Sequence, residues 1–416
     1  MRLIHVSDIH LGRTPHNIRE RHEDIFESFR QVLDHALEIK PEAVVIGGDL
    51  FDVPRPSLSD VKRAAVMIRD AAGKGVRFIV AHGEHDKPKR REASVLEVLS
   101  GLIEGFIAPV MRVGPPAGFK DMVVRLGSLE VYVVHFQHDS PERCSRFLKA
   151  QLEAFDRMAS ASDARWKVLL GHFALTSEAG IEEMCRASVE DLPRVQYAAL
   201  GHLHRKAVRL DSQPPYAYPG VLDPFEEGDV RLGGGSPLLV EITGDGEVSV
   251  EELRIRRRPQ VVEYLDLDPS TAARGVYGRV RSAIARAKAR VRGGDGLKPL
   301  VHLVARVPPT VPSRSVIEAS QRAAGELGVL VRVRVVAAGG GGGGGRALPP
   351  QVSVSPVEVA VRLFNLSRDE ASALFEVLVP ALVERDEEAA RRVVEELASK
   401  RGEAFWRSIL EGRRGA

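Results

Sequence analysis

Cysteine is nearly absent: Cys144 and Cys185 are the only two in 416 residues. Two cysteines build neither a disulfide framework nor a cysteine zinc site. No apolar run approaches the roughly 18 residues that a transmembrane helix needs. The opening stretch from Met1 to Asp8 has no long apolar segment before a small-residue cleavage site, so no secretory signal is expected. A Gly-x-x-x-x-Gly-Lys-Ser/Thr phosphate loop is missing, so any ATP dependence has to come from a partner. Asparagine occurs only at Asn17 and Asn365, and arginine outnumbers lysine 47 to 12. Scarce thermolabile amides fit a protein that works hot. Membrane and disulfide-scaffold classes are thereby set aside, and a cytoplasmic location is the expectation.

What is present is a chain long enough for two or three domains, at roughly 100–200 residues each. The apolar fraction of 44% and the charged fraction of 28% are those of a globular protein with a real core. The net charge of +2 hides a segregation. Residues 254–346 hold 18 Lys and Arg against 6 Asp and Glu, while residues 347–416 hold 10 against 12. The front, residues 1–253, is therefore acidic. Histidine is segregated too: of 13, only His302 lies beyond His204.

Residues 1–253 alternate β-branched runs (Leu3–Val6, Ala43–Ile46, Val76–Val80, Val131–Val134, Val168–Leu170, Tyr197–Leu200) with amphipathic stretches such as Arg21–Ile39 and Ser59–Ala72. That alternation predicts a layered α/β domain. Tyr216–Tyr218, Leu238–Ile242 and Val248–Leu253 add an antiparallel extension, with a hairpin at Gly244-Asp245-Gly246. Residues 254–337 read as a second, small α/β unit: strand Val261–Leu267, helix Val276–Val291, strand Leu300–Val307, helix Ser315–Leu327, strand Val329–Val336. Residues 338–350 contain seven consecutive glycines and two prolines and read as a flexible linker. Residues 351–416 read as a helical module: Ser355-Pro356-Val357-Glu358 and Ser367-Arg368-Asp369-Glu370 are capping boxes ahead of apolar residues at helical spacing.

The chemistry-bearing residues follow the ends of predicted strands, where open α/β sheets place ligands. They are Asp8-Ile9-His10, Gly48-Asp49-Leu50-Phe51-Asp52, Gly83-Glu84-His85-Asp86, Gly171-His172 and Gly201-His202-Leu203-His204. Imidazoles and carboxylates suit Mn, Fe or Zn rather than a thiophilic metal. Seven ligands suffice for two cations that share one carboxylate. Such a pair clamps the attacking and leaving oxygens of a phosphoryl displacement, so phosphoester hydrolysis is the reaction class. His5, His16, His22, His35, His82, His135 and His138 are taken as structural.

This order of motifs resembles the calcineurin-like metallophosphoesterases, and within them the Mre11/SbcD nucleases of DNA double-strand-break repair. The motif resemblance covers about residues 1–225. It implies a metallophosphoesterase β-sandwich core with flanking helices, a small α/β cap domain and a C-terminal helical module. It also implies two Mn²⁺ per chain. Asp8, His10, Asp49 and His204 would hold one metal, and Asp49, Glu84, His172 and His202 the other. His85 would be the general acid, with Asp86 orienting it. Two positions depart from the family pattern: Glu84 stands where the family has Asn, and Asp52 where many members have a histidine implicated in exonuclease action. Glu84 adds a third carboxylate beside the two cations.

The basic middle points to nucleic acid. Along Val276–Val291, Arg279, Arg286 and Arg290 flank one side of the apolar stripe, and Arg281, Lys288 and Arg292 the other, a layout suited to phosphates. With only Tyr264 and Tyr277 in this segment, base stacking is not expected to dominate. The resemblance implies partners as well: single-stranded DNA and duplex ends, an SMC-like coiled-coil ATPase of the SbcC type on the C-terminal helices, and a homodimer through nuclease-domain helices, for which Ser59–Ala72 and Glu92–Leu102 are candidates. The expected activity is a manganese-dependent endonuclease, with 3′-to-5′ exonuclease action. Two other readings stay open: a phosphatase or phosphodiesterase on non-DNA phosphoesters, and a non-catalytic DNA-binding scaffold.

Overall fold

The long apolar runs of the front segment form strands buried on both faces, as sheets covered by other layers require. The computed structural model describes residues 1–89, 92–179, 185–268, 273–291 and 296–337. In chain order the elements are β1 (Arg2–Val6), α1 (Arg19–Ile39), β2 (Ala43–Ile46), α2 (Leu58–Ala72), β3 (Phe78–Val80), α3 (Val95–Leu102), β4 (Phe106–Ile107), β5 (Val123–Leu126), β6 (Leu129–Val133) and α4 (Pro141–Ala161). There follow β7 (Trp166–His172), β8 (Ala174–Leu175), β9 (Arg186–Ala187), β10 (Tyr197–Gly201), β11 (Ala207–Arg209), β12 (Tyr216–Tyr218), α5 (Glu227–Arg231), β13 (Leu238–Ile242) and β14 (Val248–Glu252). The last are β15 (Gln260–Asp266), α6 (Ala273–Arg290), β16 (Leu300–Val307), α7 (Ser313–Leu327) and β17 (Leu330–Ala337).

Two six-stranded sheets, ordered β14-β13-β1-β2-β3-β4 and β11-β12-β10-β7-β6-β5, stack face to face. Alternation along the strands sorts their side chains. Leu3, Ala43, Val45 and Ile79 point into the layer shared with Val131, Val168, Tyr197 and Ala199 of the second sheet. Ile4, Val6, Val44, Ile46, Phe78 and Val80 point the other way, onto Phe26 and Phe29 of α1, Ile68 of α2 and Leu99 of α3. Leu148, Leu152 and Phe155 of α4 join the first of these cores. The result is a helix–sheet–sheet–helix sandwich, the layered α/β core that the alternation predicts.

A third sheet, β15-β16-β17, is wholly parallel. One face, with Leu265, Val301, Leu303 and Ala305, packs on Val276, Val280 and Ile284 of α6 and Val316 and Ala323 of α7. The opposite face meets the residues around α5. Tyr264 Oη lies 3.3 Å from Glu227 Oε1, Arg334 Nη2 lies 2.8 Å from Glu227 Oε2, and Gln260 Nε2 donates to the Pro224 carbonyl at 2.8 Å. Arg258 grips Asp24 of α1 with two nitrogens, at 2.6 and 3.0 Å. Fully buried Arg21 joins Asp24 to Asp223 behind it.

The sequence reading of the cysteines needs correction. Cys144 and Cys185 are bonded to each other, because the start of α4 and the strand β9 bring their Cα atoms to 5.3 Å across 41 residues of chain. Spacing could not reveal this, since the pairing follows from where α4 packs. The expected linker, the helical module and Arg292 lie outside the described residues.

Candidate metal centre

The first sheet delivers its acids through loops that are zipped together. Beyond β1 and β2 the chains stay paired: Asp8 N donates to the Gly48 carbonyl at 3.1 Å, and Ile9 N and His10 N both donate to the Asp49 carbonyl, at 2.9 and 3.0 Å. The second sheet delivers its imidazoles from β7 and β10. The two sheets touch at Gly47 and Gly201, where a Cβ on Gly201 would stand 2.0 Å from the Gly47 carbonyl oxygen. Only a bare backbone allows that approach, and it carries His202 to Asp8, whose carboxylate accepts from His202 N at 3.2 Å. The backbone is strained here. Asp8, His10, Asp49 and His202 have φ of 51°, 54°, 51° and 98°, a region side chains with a Cβ rarely enter.

The side chains converge on one atom, Asp49 Oδ2. His172 Nε2 lies 3.5 Å from it, His10 Nε2 3.8 Å and His85 Nε2 3.9 Å. His172 Nδ1 donates to the Gly47 carbonyl at 2.8 Å, so the Nε2 that faces Asp49 carries a lone pair when the ring is neutral. Buried His172 Nε2 and His10 Nε2 have no hydrogen-bond partner. Burial, with Asp86, Asp8 and Glu84 nearby, pushes the Asp49 carboxyl well above its ordinary range. Lone pairs and carboxylates facing one another without a proton between them is the arrangement a cation resolves. Four trios have ligand atoms close enough to share an ion: Asp8–His10–His204, Asp8–Asp49–His172, Asp49–Glu84–His85 and His10–Asp52–His85. His202 joins none of these trios, although its ring centroid lies 5.2 Å from that of His172.

Among the predicted catalytic pair, the geometry separates the two residues. His85 Nδ1 lies 2.6 Å from the Asp52 carbonyl, which can only accept, and the ring is thereby aimed with Nε2 toward Asp49 and Glu84 Oε1, the latter 3.7 Å away. Asp86 does not orient His85. Its buried carboxylate accepts instead from the backbone of Phe51 and Gly83 at 3.0 Å each and of Leu50 at 3.3 Å. It staples the Asp49 loop to the Glu84 loop, and burial pushes its carboxyl up to about 6.

Sequence reasoning named Asp52 without placing it behind an imidazole, and missed Asp229. Asp52 Oδ1 stands 3.2 Å from His10 Nδ1 and accepts from Arg13 at 2.8 Å. Asp229 Oδ1 stands 3.4 Å from His204 Nδ1. Phe225 is set edge-on against both His10 and His204, at centroid distances of 5.2 and 5.0 Å, and Arg13 lies 3.9 Å from its ring centre. Nothing in the run Glu226-Glu227-Gly228-Asp229 marks a site.

The predicted cationic residues of α6 lie on the helix that packs on one face of the third sheet, while the opposite face meets α5. The third sheet stands between α6 and α5. Their charges are also spoken for within the unit: Arg286 and Arg290 both reach buried Glu263, Arg281 reaches Glu326, Arg279 reaches Asp268, and Lys288 donates to the Leu327 carbonyl.

The Calcineurin-like phosphoesterase family matches residues 1–206. A DNA double-strand break repair protein Mre11 of Aeropyrum pernix is 36% identical over 98% of this chain and 99% of its own length. The chain belongs to the Mre11 family. Proteins of the same description from Sulfolobus acidocaldarius and Sulfurisphaera tokodaii are 26% and 25% identical, over 76% and 73% of this chain and 76% and 72% of theirs. Membership fixes the catalytic class as a metal-dependent phosphodiesterase, and it makes the trios around Asp49 the candidate dinuclear site of a Mre11-type centre.

Proposed function

We propose that this chain is a manganese-dependent DNA nuclease, cutting phosphodiester bonds endonucleolytically and from 3′ ends, in a complex that repairs double-strand breaks. The observation that carries the reading is the meeting of His10, His172 and His85 at one buried oxygen of Asp49. Asp8, His10, Asp49 and His204 are one ligand set, and Asp49, Glu84, His172 and His202 the other. When bound, two divalent ions would supply charge neutralisation at the attacking and leaving oxygens. The chain's own part is a proton. With Nδ1 held by the Asp52 carbonyl, His85 Nε2 faces the cleft and protonates the oxygen that leaves phosphorus as water adds to it.

The acid-poor composition of residues 254–346 supports a polyanionic substrate. The family of the relatives, named for double-strand break repair, supports DNA. An SMC-like ATPase on the C-terminal helices, a homodimer and a cytoplasmic location complete the proposal. Among the described residues no helix is long and apolar enough to cross a membrane.

A cleavage assay tests it, with single-stranded and end-labelled duplex DNA, Mn²⁺ and the full chain. Wild type should cut and lose activity in EDTA. His85→Ala should lose at least 100-fold in rate, the range general acid–base catalysis supplies, while still taking up Mn²⁺. Equal cutting by both proteins would remove His85 as the acid, and no cutting by either would favour the scaffold reading.

A further inference from the structure

Alternation along the third sheet separates an apolar face from a polar one. The face turned away from α6 and α7 carries Gln260, Tyr264, Arg332 and Arg334, with Tyr264 and Arg334 in one row across the strands. That face grips a single short segment of the two-sheet sandwich, residues 224–229. Gln260 Nε2 donates to the Pro224 carbonyl at 2.8 Å. Arg334 holds Glu227 with Nε at 3.0 Å and Nη2 at 2.8 Å, and Tyr264 Oη donates to Glu227 Oε1 at 3.3 Å. Arg332 lies 3.7 Å from Glu226.

The same segment has the candidate metal ligands on its other side. The Phe225 ring stands edge-on to His10 and His204. Asp229 Oδ1 lies 3.4 Å from His204 Nδ1, and its second oxygen accepts from the backbone of Glu226 at 3.0 Å and of Phe225 at 3.3 Å. The carboxylate behind His204 is therefore held by the amides of the two residues that precede Glu227. A carboxylate in that place fixes the imidazole tautomer and aims its free nitrogen at a cation. Glu227, for its part, is held only as long as its partner stays. Its side chain is 13% exposed, and a carboxylate so far from water is left uncompensated when its arginine is removed. Turning out to solvent relieves that charge, and it drags the adjoining backbone, and with it the two amides that hold Asp229.

We infer that the third sheet is a working part of the metal centre: Arg334, acting through Glu227 and Asp229, is a positioning residue for His204 and sets the affinity for the metal that His204 helps to hold. The inference rests on the metal-binding reading above. It gives residues 254–337 a role at the centre that is separate from any contact with substrate.

The test is a calorimetric titration of the EDTA-stripped full chain with Mn²⁺, read in parallel by the EPR signal of free Mn²⁺. Arg334→Ala should weaken one Mn²⁺-binding step by about 5- to 30-fold, the upper range for a change transmitted through a packed network. Glu227→Gln should do the same from the other side of the pair, and it leaves the third sheet untouched. Arg334→Lys keeps a cation against Glu227 without the two-pronged grip and should recover part of the loss. Asp229→Asn alone should weaken the same step by about 10- to 100-fold, the usual cost of losing such a partner. In that background Arg334→Ala should add less than about twofold, because the path it acts through is already cut. Wild-type affinity in both Arg334→Ala and Glu227→Gln would overturn the inference and leave the metal reading intact. So would a full further loss when Arg334→Ala is added to Asp229→Asn, since that is general loosening and not a path through Asp229. No Mn²⁺ uptake by wild type would overturn both.

Discussion

Glycine at position 83 shows how closely the centre is built. A Cβ there would stand 2.0 Å from Asp49 Oδ1 and 2.6 Å from the Asp49 amide nitrogen, with backbone on one side and the shared carboxylate on the other. Neither can move without breaking the hydrogen bond from His85 N to Asp49 Oδ1, 3.0 Å long. Gly83→Ala is therefore expected to abolish cleavage and Mn²⁺ uptake while leaving the far-ultraviolet circular dichroism unchanged, and retention of more than a tenth of wild-type cleavage would contradict the packing argument. At this scale the sequence was informative where chemistry restricts residue type. Imidazoles and carboxylates after successive strands leave few alternatives, so Asp8, His10, Asp49, Glu84, His172 and His204, which the fold brings into the trios around Asp49 and Asp8, could be named as candidates without coordinates. Asp229, Phe225 and Arg13 could not. Phe225 and Asp229 come from a chain path that returns to the site more than 200 residues after Asp8, and no local pattern encodes that return. Asp86 misled for a related reason: its partners are backbone amides, which every residue has.

Secondary structure was legible where burial leaves a periodic trace. Strands β2 and β10 are covered on both sides and read as unbroken apolar runs, and β1 and β7 are mostly apolar. The two- and three-residue strands β4, β8, β9 and β11 are too short for any period. The helix α4 carries a readable start in its sequence, Ser140 accepting from Arg143 N ahead of Pro141. Helix α6 illustrates the limit. Its stripe correctly told which side is buried, but an amphipathic pattern cannot say what lies beyond the sheet it packs on. This gives a prediction at the level of the element. Arg281→Ala with Lys288→Ala should change DNA affinity less than twofold and leave the slope of log K against log salt unaltered. Each lost phosphate contact would reduce that slope by about 1, so a drop of about 2 would restore the helix as a DNA-binding surface.

The molecule as a whole is held together by devices that composition understates. The Cys144–Cys185 bond closes a loop of 41 residues. A bond closing a loop of that length stabilises by about 4 kcal/mol on the chain-entropy account, and intracellular disulfides are common in hyperthermophiles. Cys144→Ser should accordingly lower the denaturation midpoint, and wild type should fall to the same value on reduction; a reductant that lowers the midpoint of Cys144→Ser as well would point to some other target.

Acidification should act on the whole fold through histidines that the metal centre does not use. His5 is buried between the sheets with Nδ1 2.9 Å from Tyr197 Oη, His82 is buried with Nε2 2.8 Å from Ser94 Oγ, and His302 lies on the third sheet against His16. Burial pushes each of them down to about 3, aided at His82 by Lys87 and at His302 by His16 and Arg332. In the unfolded chain the same imidazoles titrate near 6.5. Below about 6.5 the unfolded state takes up protons that the folded state refuses, so stability is complete above that pH and declines as pH falls toward 3. Urea midpoints measured without metal at pH 7.5, 6.5 and 5.5, above the ordinary carboxylate range, should fall across the last interval. His302→Gln, which keeps a polar partner for Gln260 (2.9 Å from His302 Nε2 in the native fold), should lessen that fall. A midpoint that holds steady or rises between pH 6.5 and 5.5 would mean that these rings are protonated inside the fold, and that their burial is paid back by partners the packing does not reveal.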